Sequence, residues 1–116
     1  MASRNDISAR LRHRVVLQSP DLVPANGGQF SVEWEDAGAV WAEIRPVDNR
    51  SLTGEVVFGE QLVGRISHAV LIRFRKDVSA DMRIKFGERY FNIRSVINVD
   101  ERSEMLRIFA EENSAI

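Results

Sequence analysis

From Leu11 onward, apolar and polar residues alternate with a period of two, the spacing of strands that bury one face. In a first strand, Leu11 to Gln18, His13, Val15 and Leu17 share one face and Arg12, Arg14 and Gln18 the other. Ser19 to Gly28, with Pro20, Pro24, Asn26, Gly27 and Gly28, has the chemistry of a turn. A second strand puts Phe30, Val32 and Trp34 inward and Ser31, Glu33 and Glu35 outward. After Asp36 and Gly38, a third sets Val40, Ala42 and Ile44 against Trp41, Glu43 and Arg45, and Pro46 stops it for want of an N–H.

A long fourth strand, Arg65 to Arg75, carries Ile66, His68, Val70, Ile72 and Phe74 as its apolar stripe. A short strand, Met82 to Phe86, turns through Gly87-Glu88 into a return strand with Phe91, Ile93, Ile97 and Val99 on one face. A second hairpin, Asp100 to Ser103, leads to Met105–Ala110 with Leu106, Ile108 and Ala110 aligned. Short strands at this spacing predict an all-β domain, a small antiparallel β-barrel of six or seven strands. Residues 1–10 are polar and predict a flexible N-terminal arm, leaving 11–116 as one domain.

The segment 47–64 breaks this pattern. It exceeds the usual connection length, yet carries Leu52, Val56, Val57, Phe58, Leu62 and Val63. Glu55, Phe58 and Leu62 fall on one helical face, against which Gly59 and the β-branched pair Val56-Val57 argue. Two readings stand side by side: a loop covering an open barrel end, or a segment that orders against a partner.

Composition narrows the possible functions. The 116 residues suffice for one modest core. A formal charge of -1 excludes coating nucleic acid by net charge. The absence of cysteine excludes disulfides, thiolate metal sites and a cysteine nucleophile. No apolar run reaches the roughly 20 residues that span a bilayer, and Met1 to Arg10 lacks the apolar stretch of a signal peptide. A soluble, intracellular protein is expected, with no membrane partner.

Candidate chemistry is sparse. His13 and His68 lie in register with apolar stripes, as packed histidines do, and no HxH or HExxH spacing accompanies them. No GxSxG elbow occurs, and Gly27-Gly28 lacks the Lys-Ser/Thr of a phosphate loop. Glu33/Glu35 and Glu111/Glu112 resemble solvated faces more than an acid/base dyad. Arg73, Arg75, Lys76, Arg83, Lys85, Arg89 and Arg94, close to Tyr90 and Phe91, raise the alternative of a nucleic-acid-binding barrel. Acidic Asp77 and Glu88 interrupt that patch. A small-ligand barrel or enzyme is a third reading, motivated only by the fold class and the two histidines.

The order of the strand phrases carries more information. Leu11 to Leu17, Gly27 to Trp34, Val40 to Pro46, a Glu-bearing stretch Glu55 to Gln61, and His68 to Arg75 follow one another. Tyr90-Phe91-Asn92-Ile93 and Leu106 to Ala110 close the set. In wording and order these phrases resemble the head–tail joining (head-closure, or stopper) proteins of tailed phages and the equivalent parts of gene transfer agents. The likeness spans about Leu11 to Glu111 and rests on the ordered set.

The resemblance implies a structural virion component without enzymatic turnover or cofactor. It implies a homo-oligomeric ring, sixfold or twelvefold, beneath the portal and its adaptor, which closes the DNA-filled head and docks the tail. Its partners would be the portal/adaptor ring, tail proteins and the encapsidated DNA in the channel. It would be assembled in the bacterial cytoplasm and reside at the head–tail interface of the virion. On this reading Leu52, Glu55, Val56, Val57, Phe58, Gln61 and Leu62 form a gating or neighbour-contact loop. Trp41, Arg73 and Arg75 are interface candidates, Trp41 because it stands opposite Val40 and Ile44.

Overall fold

The computed structural model describes residues 4–47 and 66–113. A short helix, α1 (Arg4–Arg10), precedes six strands: β1 (His13–Pro24), β2 (Phe30–Pro46), β3 (His68–Arg73), β4 (Arg83–Phe86), β5 (Arg89–Asn98) and β6 (Met105–Asn113). The strands pair antiparallel in the order β1-β2-β3-β6-β5-β4, and β1 pairs with β4 to close the barrel. The all-β barrel expected from the alternation is therefore present. Its second and third expected strands are one continuous strand of 17 residues.

The interior follows the period-two reading closely. Val15 and Leu17 from β1, Ala42 from β2, Val70 and Ile72 from β3, and Ile84 from β4 are buried. Phe91 and Ile93 from β5 and Leu106, Ile108 and Ala110 from β6 complete this core. Outside the barrel wall, Ile66 and Phe109 form a second small cluster with Val47 and Ala69. The chain entering and leaving segment 48–65 thus covers the outer face of β3 and β6, with the Val47 N–H donating to the Ser67 carbonyl.

Two bulges overturn the facing predicted for two strands. Leu17 pairs with Gly38, but Gln18 pairs with Asp36, so Ala37 is an extra residue on β2. A one-residue slip exchanges the two faces of everything beyond it. Phe30, Val32 and Trp34, expected inward, therefore stand on the outer side beside Pro20 and Leu22. In β5 the register shifts between Ile93 and Ser95, with Arg94 as the extra residue. Val96 consequently packs on the core, while Ile97, expected inward, faces solvent.

The first bulge is clamped by tertiary contacts. The Arg75 guanidinium donates to the Ala37 carbonyl at 3.3 Å and to both oxygens of Asp77. It lies against Gly38, where a Cβ would come within 2.5 Å of the guanidinium. Glycine at 38 leaves room for this clamp.

Ser19 to Pro24, expected as a turn, continues β1 instead, paired with β2 as a two-stranded ribbon beyond the barrel. Only Ala25 to Gln29 turns, through Gly27 (φ 79°) and Gly28 (φ 75°), backbone that other residues adopt only with strain. At about 3.4 Å per residue the six residues extend the ribbon about 20 Å. The Ala25 N–H donates to the Gln29 carbonyl, so by alternation Pro20, Leu22 and Pro24 direct their nitrogens to the open edge. Two of these three positions have no hydrogen to offer.

The segment predicted as an arm carries α1. A helix of seven residues is too short to persist alone. It is tied down by Arg10 on Glu43 (3.0 Å), by Arg73 donating to the Ser8 hydroxyl (2.9 Å), and by burial of Leu11 just after it.

These placements predict opposite outcomes for two large apolar residues. Phe91→Ala, at the barrel centre, should cost about 3–5 kcal/mol in chemical denaturation. Leu22→Ala, on the ribbon, should stay within about 0.5 kcal/mol of wild type.

Candidate interaction surfaces

Among the described residues, five large apolar side chains are exposed: Leu22 (66%), Phe30 (68%) and Val32 (49%) on the ribbon, Trp41 (51%) on the barrel wall, and Ile97 alone on β5. On the ribbon, Pro20, Leu22 and Pro24 pair with Trp34, Val32 and Phe30, making one apolar face. Asp21 and Val23 pair with Glu33 and Ser31, and Ser19 pairs with Glu35, so the opposite face is acidic and polar.

The base of the apolar face is a stack. The Arg83 guanidinium lies 4.3 Å from the Trp34 ring and 4.1 Å from the Tyr90 ring, a double cation–π arrangement. Arg83 Nε donates to Gln18 Oε1 at 2.7 Å, and Gln18 Nε2 donates to Asp36 Oδ1 at 2.8 Å. Burial holds the Arg83 pKa below its usual value, because the charged form loses water. The relay through Gln18 to Asp36, together with the two rings, replaces part of that hydration.

The second surface is the outer face of β1, β2 and β3. Trp41 pairs with Arg14, whose guanidinium lies 5.3 Å from the indole. Arg73 and Trp41 line one groove together with Ser8 and Leu11. Arg45 and Arg107 share a neighbouring groove with Glu43. The Glu43 carboxyl is held below its usual range, first by its hydrogen bonds from Arg10.

Of the interface residues expected from the sequence, Trp41 and Arg73 thus come together on this surface. Arg75 is engaged with Asp77 and the bulge rather than displayed. Leu52, Glu55, Val56, Val57, Phe58, Gln61 and Leu62 lie outside the described residues. The ribbon face was missed. The small residues Ala37-Gly38-Ala39 within an apolar-alternating strand are the signal that marks its bulge.

The basic residues of the later strands are largely occupied. Arg89 pairs with Glu112 at 2.8 Å, and Arg94 pairs with Glu111. His13 packs edge-on against Phe86 and His68 against Phe91, with ring centroids 5.0 and 4.8 Å apart. His68 Nδ1 also lies 2.9 Å from the Ser67 hydroxyl. Among the described residues, no group of three or more His, Asp or Glu is placed to hold a metal ion.

Residues 8–113 match the family model described as phage head completion protein. The chain belongs to that family. No curated protein matches it closely enough to add to this. In structure it is similar to protein SF1141 of Shigella flexneri 2a, solved in solution, with a TM-score of 0.68 and 23% identity. That match covers 92% of this chain and 96% of the other. It is also similar to a chain of the virion of a native gene transfer agent particle, with a TM-score of 0.64 and 23% identity. There the coverage is 92% of this chain and 98% of the other. At such identities these two likenesses concern the fold. Family membership marks the chain as a structural head component of a phage-type particle.

Two measurements probe this geometry. Arg83→Ala strips Gln18 of a charged donor and opens the Trp34–Tyr90 stack; denaturation should show a loss of about 1.5–3 kcal/mol. Burial lowers the His68 pKa from its ordinary 6.5, so the unfolded chain takes up the proton first. The neutral imidazole's contribution is complete above pH 6.5 and is lost as pH falls through the folded-state value. Tm should therefore decline from pH 7 toward 5, and His68→Gln should flatten that decline. Glu43 and Glu112, whose pKa values are lowered from 4.5, act in a lower window.

Proposed function

We propose that this protein is a head–tail connector subunit of the stopper type. It assembles as a ring beneath the portal and adaptor, closes the DNA-filled head and offers the tail its docking surface. It does so by packing alone, without catalytic turnover. The observation that carries this reading is the family match over residues 8–113. Its physical counterpart is a rigid closed barrel with apolar side chains left uncovered on two outer surfaces, as an assembling subunit requires. The structural likeness to a gene transfer agent virion chain supports the same setting. Segment 47–64, with Phe58 and its apolar neighbours, is our candidate for the gate or neighbour-contact element.

The nucleic-acid-binding alternative loses its main support. A single-strand-binding barrel needs aromatic faces open to bases, whereas Trp34 and Tyr90 have Arg83 packed on them. The ion pairs of Arg89 and Arg94 further reduce the basic face that suggested it.

Co-sedimentation with portal-bearing, DNA-filled heads and with isolated tails tests the proposal. Stable association with heads, accompanied by ring particles in electron micrographs, is expected. Indifference to heads and tails, together with salt-sensitive binding to single-stranded oligonucleotides, would overturn it. Trp41→Ala should leave the melting temperature nearly unchanged and weaken assembly about tenfold or more. A Trp41→Ala chain that fails to fold would refute the interface role.

A further inference from the structure

The ribbon and the Trp41 surface are complementary to each other, and one chain cannot bring them together. Both lie along β1, where Arg14 pairs with Trp41 and Leu22 pairs with Val32. Eight residues of strand separate the two pairs, about 27 Å at 3.4 Å per residue. Each surface is exposed and apolar at its centre, and their charges are opposite. Residues 18–36 contain Asp21, Glu33, Glu35 and Asp36 and no lysine or arginine, a formal -4. The whole chain carries -1, which leaves +3 on the remainder. Arg14 and Arg73 stand beside Trp41, and Arg12 and Arg45 line a separate groove with Glu43, which is tied to Arg10.

We propose that the ribbon of one copy docks on the Trp41 surface of the next, with Leu22, Phe30 and Val32 packed against the indole. This rests on the reading of the chain as a ring subunit and adds which surfaces meet. The ribbon's carboxylates lie on its far face, but a two-stranded ribbon is thin. Charges act across such a thickness at physiological salt, where the screening length is about 8 Å. The partner is a second copy because each copy displays one half of the complementary pair at each site. The two patches are unlike, so the contact is heterologous. Repeated from copy to copy, it closes into a ring when the rotation allows.

The chain has no cysteine, so introduced thiols report the contact without background. Leu22→Cys labels the ribbon, and Ala39→Cys labels an exposed position next to the Trp41 surface. In oxidised particles, the chain bearing both substitutions should give a ladder of covalent dimers, trimers and higher species. Neither single substitution should cross-link alone, while an equal mixture of the two should give heterodimers. Glu33→Arg with Glu35→Arg should reduce the ladder at least tenfold, and adding Arg14→Glu with Arg45→Glu should restore it. A homodimer from Leu22→Cys alone would overturn the proposal in favour of a twofold ribbon–ribbon contact. Particles that incorporate the chain yet show no ladder would overturn it and leave the ring subunit reading intact. A chain that never enters particles would overturn both.

Discussion

One extra residue, Ala37, decides what the molecule shows to its surroundings. On the barrel side of it, Val15 and Leu17 of β1 and Val40, Ala42 and Ile44 of β2 are sorted in the ordinary way, apolar inward. Beyond it the sorting is reversed, and the apolar residues that alternation assigns to the core turn outward along the ribbon. The barrel loses nothing by this, because its interior is filled by Phe91, Ile84 and their partners from other strands. A bulge held by Arg75 and relieved by Gly38 thus separates a part that stabilises the fold from a part available for contact.

The closed interior was legible because burial on one face imposes a period of two, which survives in the residues. Val15 and Leu17, Val70 and Ile72, and Leu106 and Ile108 all stand where alternation puts them. Alternation carries no information about where it resets. Phe30, Val32 and Ile97 were misplaced for this single reason, each lying beyond a bulge. Pro20 and Pro24 suggested a turn, since sequence alone does not show that their nitrogens face an open edge. Trp41 was readable as exposed because its strand contains no reset between it and Ile44. The clamp by Arg75 was not, since Ala37 and Arg75 meet only after β2 and the segment following β3 have come together.

Electrostatics divides the arginines by duty. Arg10, Arg75, Arg89 and Arg94 spend their charge on carboxylates within the chain, and Arg83 sits between two rings. Exposed pairs of this kind contribute little stability one at a time. What they do is fix positions: Arg10 seats the helix on β2, Arg75 holds the bulge, and Arg83 sets the base of the ribbon against β4. Arg14 and Arg73, outside these ties, flank Trp41. A near-neutral chain is therefore far from uniform, a property that net charge and pI conceal.

Free strand edges are a hazard to a β protein, because they can recruit any other strand by backbone pairing and stack without limit. Closing the barrel gives every strand a neighbour on both sides over part of its length, and Pro20 and Pro24 blunt the β1 edge of the projecting ribbon, while its β2 edge has no proline. Along the β1 edge, what is left for recognition is side-chain chemistry, which discriminates between partners and can be released again. The prolines thereby oppose backbone pairing along that edge, and fibril growth through it is disfavoured.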